Sequence, residues 1–416
     1  MQRDLDRLMS ERHLDAIVVE GPDGLGSANP AFNYFVRGAH LTGLVIKKRN
    51  EPAMLIHSDW ELLQAEATGL VCVSSSRWNI REISRQFPER LAARVELRRQ
   101  MLTDLGVTGR VGLYGTVQIG PFLALLRGLE AAMPELTFVA EFDKDLISAA
   151  RLTKDAAEVD VMRAVGRKTC EVVQAAVDFI AAGVANGDDV CDAVTGKPLT
   201  IGDVRHVIDR ELAARGLVGE GTIFAQGRDA GLPHARGEDS MVLQRGQAIV
   251  FDIFPKDASG YYHDMTRTFA IDYASPELQQ VYADVLGSFN AVVGEFEAGA
   301  PTKPYQTMVC DYFAARGHDT IATKYPIEEG FIHSLGHGLG LEVHEDFGFP
   351  SLTDRGDVLV PGAVFTVEPG LYYPSKGYGV RIEDTYWCRP DGQFESLTDF
   401  SKELVIPLRG TRLSGN

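Results

Sequence analysis

Apolar positions in the first 140 residues alternate between a helical period and short continuous runs of strand length. Residues 5–13 (LDRLMSERH) carry their apolar side chains at helical spacing, and residues 15–21 (DAIVVEG) read as a strand. Residues 41–48 (LTGLVIKK) and 51–57 (EPAMLIH) are two strand-like runs around Arg49-Asn50, which predicts a hairpin. A strand at 110–115, a helix at 121–133 and a strand at 136–142 follow. This is an α/β module of mixed strand order, with no glycine-rich phosphate loop after any of its strands.

A boundary is expected near 145–153. Thr153 is the predicted cap of a long helix with Asp155 and Glu158 in its first turn, where the positive helix end favours acids. Apolar residues from Val159 to Ile180 then recur at helical spacing, as far as Gly183. Residues 184–200 are polar and glycine-containing and read as an insertion, and 203–215 resume a helix that Gly216 ends. Beyond 222 the texture changes to short strands and tight turns. Residues 247–255 (QAIVFDIFP) and 261–271 (YYHDMTRTFAI) are strands joined by a polar turn, and 276–296 and 305–316 are helices. Strand-like, glycine-punctuated stretches at 334–345, 363–373, 379–388 and 403–408 complete the chain. Two domains are expected, residues 1–148 and 153–416.

Composition narrows the function. The 416 residues include 58 acidic against 41 basic side chains, a net charge of −17, which argues against a phosphate-backbone binder. No apolar run is long enough to span a membrane, and the N-terminus is charged without an apolar core segment. Five scattered cysteines without a C-x-x-C pair fit reduced thiols, so a cytoplasmic location is expected.

Candidate chemistry collects in the strand-rich half. Asp252 lies inside the apolar run AIVFDIF, where an unpaired carboxylate is costly to bury. Asp264 lies in the facing strand, twelve positions on, and the turn leaves room for both side chains to share a face. Glu368 precedes Pro369, which forces it into an extended conformation, and Glu383 lies in a further apolar-flanked strand. His337 stands in His-Gly-Leu-Gly, where missing side chains let a second body come close. Four converging carboxylates and an imidazole repel one another without cations, and two divalent metals resolve that repulsion.

The wording and order of FDIFPKDASGYYHDMTRTF, HSLGHGLGLEVHE, FTVEPGLYY and VRIEDTYW resemble the creatinase/aminopeptidase ("pita-bread") metallopeptidases, and among them the Xaa-Pro peptidases. RLTKDAAEVDVMRAV resembles that family's entry into its catalytic domain, so the resemblance runs from about residue 150 to the end. It implies an α+β chain with a pita-bread catalytic domain after a smaller creatinase-like α/β domain. It further implies Asp252 as a terminal ligand of one metal, Asp264 and Glu383 as bridging carboxylates, and His337 and Glu368 as ligands completing the second. Glu368 is also the implied acceptor of a water proton. His234, in GLPHARGED, resembles the histidine near the scissile bond, and His344 the one that steadies the carbonyl oxygen. His333 matches a further pocket histidine, and Arg381 is expected to orient the Glu383 carboxylate. Manganese is the expected metal, with cobalt or zinc as substitutes, because oxygen-rich sites suit hard cations.

The implied substrate is a small peptide with proline after the cut, the implied assembly a homodimer, and the leaning is to a dipeptidase. An aminopeptidase acting on longer Xaa-Pro peptides, a hydrolase of another small C–N bond, and a non-catalytic binding module remain alternatives. A dipeptidase needs a cation for the substrate's carboxylate, and Arg37 and Arg355 are the candidates. His263 is expected to face away from the metals, and tyrosines 261, 262, 372 and 373 to pack, with a place in the wall of the substrate pocket as the alternative for one of them. One departure stands out. The Asp252–Asp264 interval is a residue longer than the family commonly shows, and a bulge beside Asp264 would re-aim it.

Overall fold

A computed structural model describes residues 4–22, 24, 28–351 and 353–409, and the chain divides into two units, Met1–Arg151 and Leu152–Asn416. Met1–Arg3 and the last seven residues lie outside the described part.

The first unit is built on a six-stranded sheet. Strand Ala16–Glu20 pairs antiparallel with Leu44–Lys48 on one side and parallel with Arg110–Tyr114 on the other. Met54–His57 and Val71–Ser74 extend one edge, and Thr137–Val139 forms the other. Asn50 takes the left-handed conformation, φ 64°, at the turn of the 44–57 hairpin, where asparagine is well tolerated. Helices Arg90–Asp104 and Ile119–Ala132 cover one face, burying Leu102, Leu125 and Leu129 against Val18, Ile46 and Val111. Burial of each such side chain contributes roughly 1.5–3 kcal/mol.

The second unit begins with a long helix, Ala156–Ala181, whose cap falls two residues after the predicted one. Asp155 accepts from the Glu158 N–H at 3.0 Å, and Glu158 returns to the Asp155 N–H at 2.9 Å. Thr153 is instead drawn into a bridge with Ala363, and Lys154 N–H donates to the Gly362 carbonyl, so the chain is still extended there. Residues 184–200 contain a small hairpin, Val184–Asn186 with Asp189–Cys191. Thr200 then caps helix Ile201–Ala214 through a reciprocal bond pair with Asp203.

Three sheets follow. One runs in the order Val405–Ile406, Met265–Ile271, Ala248–Ile253, Ile223–Gln226. A five-stranded sheet runs Glu345–Gly348, His337–Gly338, Val364–Val367, Asp384–Cys388, Phe394–Ser396. The third is the hairpin Gly370–Tyr373 with Tyr378–Arg381. Helices Pro276–Gly294 and Lys303–Ala314 pack on a core that includes Phe289, Phe313, Phe331, Phe349 and Phe365, all essentially inaccessible. No described helix is long and apolar enough to cross a membrane.

Candidate metal centre and active site

The hairpin carrying Asp252 and Asp264 keeps one register from Ala248 opposite Ala270 to Lys256 opposite Tyr262. No bulge therefore interrupts it beside Asp264, and the longer interval is absorbed in the turn, where Gly260 adopts φ 88°. Residues opposite one another share a face, and so do residues two apart. Asp252 is opposite Thr266, so Asp252, Asp264 and Thr266 all face one way. His263 faces the other way as expected, with Nε2 3.2 Å from Thr398 Oγ1, and burial lowers its pKa to about 4.

Glu368 and Glu383 occupy a special kind of position. Val364–Val367 belongs to the five-stranded sheet and Gly370–Tyr373 to the separate hairpin, and Glu368-Pro369 is the crossing between them. Tyr378–Arg381 and Asp384–Cys388 repeat this crossing in reverse, with Ile382-Glu383 at the gap. Glu383 thus lies between two strands and not within one, which corrects the expectation from its apolar flanks. Its backbone bridges to Thr266, and Arg267, buried on the opposite face, donates to the Glu383 carbonyl at 2.8 Å and to Asp384 at 2.8 Å. Each sheet change carries a carboxylate to the face of the Asp252 hairpin.

His337 is placed by glycines. The body that comes close is the chain itself: a Cβ on Gly336 would lie 2.0 Å from the Thr366 carbonyl oxygen, and one on Gly340 2.5 Å from Glu345 Oε1. His337 Nδ1 lies 3.1 Å from the Gly338 carbonyl, a contact that requires the proton on Nδ1. Nε2 is then a bare lone pair, and it faces Glu368 Oε1 at 3.4 Å and Asp264 Oδ2 at 3.8 Å.

Ligand atoms of Asp264, His337 and Glu383 lie within 4.8 Å of one another. Asp252 Oδ1 and Asp264 Oδ1 are buried without a hydrogen-bond partner. Burial, then the neighbouring carboxylates, push Asp264 and Glu368 well above the usual carboxylate range, and Glu383 up to about 8. Burial and the neighbouring His344 lower His337 to about 3, so its imidazole is neutral. Acceptors therefore face acceptors, with Arg381 as the one cation described among them. Four carboxylates against one guanidinium leave a formal −3, which two dications nearly balance. An oxygen-rich set with one neutral imidazole fits such ions.

Arg381 does not contact the carboxylate it was expected to orient. Its Nη2 donates to Asp252 Oδ2 at 2.6 Å, and its Nε to Thr266 Oγ1 at 3.0 Å. Thr266 then donates to Glu383 Oε2 at 2.7 Å, so Arg381 reaches Glu383 only through a threonine. Tyr372, expected to pack, is the residue that reading missed. Its hydroxyl accepts from Arg381 Nη1 at 2.8 Å and lies 2.8 Å from His333 Nε2. His333 Nδ1 donates to the Ser334 carbonyl at 2.7 Å, so both ring nitrogens of His333 are already used by the protein. The alternation of Tyr372 with Tyr373 along the strand was the available signal. Tyr373 lies on the reverse face and lines a separate cleft of about 610 Å³ with Arg228, Lys324 and Glu329.

His344 and His234 are exposed; the His344 ring stands 4.1 Å from that of His337, and burial of its inner side with His234 nearby lowers its pKa. His234 lies on a turn closed by the Ala235 N–H and the Leu232 carbonyl. Of the two candidate carboxylate anchors, Arg355 belongs to the same unit and does not join these residues. Arg355 is engaged with Asp346 and with Asp357 at 3.6 Å, and Arg37 ends a helix of the first unit.

The sheet-crossing cluster of acids around a histidine could hold divalent metal ions, and comparison with known proteins gives the family. Residues 160–390 match the model of metallopeptidase family M24, and the chain belongs to that family. The chain is 36% identical over 185 residues to an uncharacterized peptidase, YqhT, of Bacillus subtilis, covering 44% of this chain and 48% of that one. It is 30% identical over 278 residues to the Xaa-Pro dipeptidase of Pyrococcus furiosus, covering 65% and 70%. Among solved structures, an Xaa-Pro dipeptidase from Bacillus anthracis superposes with a TM-score of 0.73 at 24% identity, covering 97% of this chain and 99% of that one, which establishes the pita-bread fold. The chain spans only 48% of the YqhT protein, and 57% and 62% of two further curated relatives from Bacillus subtilis and Mycobacterium bovis.

Proposed function

We propose that this chain is a dinuclear-metal peptidase that hydrolyses the Xaa-Pro bond, and more narrowly an Xaa-Pro dipeptidase. The observation that carries this reading is the convergence of Asp252, Asp264, His337, Glu368 and Glu383 with bare acceptors facing one another. These five residues would hold the ions, manganese first, with cobalt or zinc as substitutes. Such ions supply Lewis acidity toward a carbonyl oxygen and make water acidic enough to attack near neutral pH.

The chain's own residues do the rest. Glu368, with its carboxylate kept ionised once ions neutralise the neighbouring acids, would take a proton from the attacking water. His344, exposed beside His337, donates a hydrogen bond to the developing oxyanion. His234 moves a proton to the leaving nitrogen. His333, with both nitrogens engaged, shapes the wall. Arg381 and Thr266 hold Asp252 and Glu383 in place. An Xaa-Pro bond has no amide N–H, so a site that grips only the carbonyl accepts it where strand-binding peptidases do not. Five free cysteines support a cytoplasmic location, and the family resemblance supports a homodimer.

Assay of Ala-Pro, Leu-Pro and Ala-Ala with manganese tests the specificity. A kcat/KM for Ala-Ala comparable to Ala-Pro would retain the family and discard the substrate. One observation favours a second reading: Arg355 is committed to two aspartates, which weakens the case for a dipeptide carboxylate anchor and favours an aminopeptidase. Turnover of Xaa-Pro-Yaa tripeptides at or above that of Xaa-Pro would select it.

A further inference from the structure

One buried ion pair beside the centre is not used by any step above. Lys154 Nζ and Glu345 Oε2 are 2.6 Å apart, with side chains 2% and 6% exposed. Glu345 follows His344 directly. Its other oxygen accepts from the Leu341 N–H at 2.9 Å, so the carboxylate closes the loop that begins after His337 and ends at His344. Gly340 is where that carboxylate tucks in, and any side chain there would strike it. The Gly340 carbonyl accepts from the Tyr262 N–H at 2.9 Å, which ties the same loop to the hairpin of Asp264. Tyr261 in turn donates to Glu158, in the first turn of the helix that follows Lys154. Three segments far apart in sequence are thus joined by one salt bridge and two hydrogen bonds.

His344 itself has no hydrogen bond among the described residues, and its one ring contact is with His337. Its position is set by what holds its neighbours. A buried pair is a poor stabiliser, because desolvating two charges offsets most of their attraction, and apolar replacements of similar size are often neutral. We propose that Lys154 and Glu345 are positioning residues that set His344 over the metal centre, and that the pair serves orientation and not stability. The activity readout rests on the Xaa-Pro peptidase reading; a spectroscopic one does not.

The test compares wild type with the double variant Lys154→Met/Glu345→Leu, which keeps volume and removes both charges. The expected result is an unchanged metal content and a Tm lowered no further than the lost acceptor of the Leu341 N–H requires, with kcat on Ala-Pro at least tenfold lower and KM within about twofold. Adding His344→Ala to the double variant should lower kcat little further, since coupled residues are not additive. In the diamagnetic zinc form, the His344 ring resonance, assigned from its loss in His344→Ala, should shift in the double variant. Gly340→Ala, which displaces the Glu345 carboxylate without removing a charge, should give the same loss and shift, and it decides the matter if the double variant does not fold. Wild-type kcat with an unshifted His344 resonance would overturn the proposal. Absence of Xaa-Pro hydrolysis in the wild type would overturn the functional reading, and the resonance would still judge this one.

Discussion

The two units differ sharply in what they do with charge. Residues 1–151 hold 18 Lys and Arg against 19 Asp and Glu, a net of −1, whereas residues 152–416 hold 23 against 39, a net of −16. Among the described residues of the first unit only Lys47 and Arg151 are buried charges, and Lys47 reaches Asp6 at 2.7 Å. Among its described residues the second unit buries eleven charged side chains, including Asp252, Asp264, Glu383 and Arg381. The first unit's sheet is therefore covered mainly by apolar packing, with its buried lysine paired to an aspartate. The other surrounds acids that need a proton or a cation, and that need is the functional content of the fold.

Metal removal should separate the units most strongly. Chelation is expected to abolish peptide hydrolysis and to speed amide hydrogen exchange in residues 248–271 and 364–388, while strands of the first unit keep their protection. Equal loosening of both units would break the comparison. Next comes His234→Ala, expected to retain two metals by elemental analysis while kcat falls about 10²–10⁴-fold, the usual worth of general acid–base groups. An emptied metal site would show that His234 belongs to the ion shell.

Without metal, pH should act on the second unit. Asp264, Glu368 and Glu383 have folded pKa values raised above their unfolded ones, Glu383 to about 8. Protons bound in that range favour the folded state, so their stabilisation is full below about pH 4 and is lost as pH rises through the folded values. Calorimetry of the metal-free protein should show Tm falling from pH 5 to pH 8, and added metal should restore most at pH 8. A flat profile would mean that the acids are not coupled. Tyr372→Phe leaves the Arg381 guanidinium short of an acceptor, so about 1–3 kcal/mol of stability and roughly tenfold in kcat should be lost. Denaturant titration and steady-state kinetics would show it, and unaltered values would reduce Tyr372 to packing. The smallest effect is expected from Arg7→Ala, which removes an exposed pair with Glu11 in the first unit. Its ΔΔG should stay below about 0.5 kcal/mol, with kcat unchanged.

Much of the centre was legible from alternation alone. Asp252, Asp264 and the reverse orientation of His263 follow from a two-residue period across one hairpin, and the glycines flanking His337 signalled a close approach. The helix starting at Ala156 was readable from its spacing, although its cap was not, because Lys154 and Thr153 are held extended by Gly362 and Ala363, two hundred positions away. Likewise Glu383 read as a strand residue, since nothing local marks the point where a run leaves one sheet for another.

What the sequence by itself determined is the identity of the acids, the faces they share along each strand and the family they resemble. Those properties depend on neighbours two to four residues apart, and the pleat transmits them without knowledge of the fold. Only the tertiary structure decided that Arg381 serves Asp252, that Tyr372 joins it to His333, and that Lys154 meets Glu345. Each of these contacts lies at the end of a long side chain crossing between segments, from 9 to 191 positions apart, whose relative placement is set by sheet register and core packing. A side-chain period says which way a residue points, but not what has been folded up opposite it.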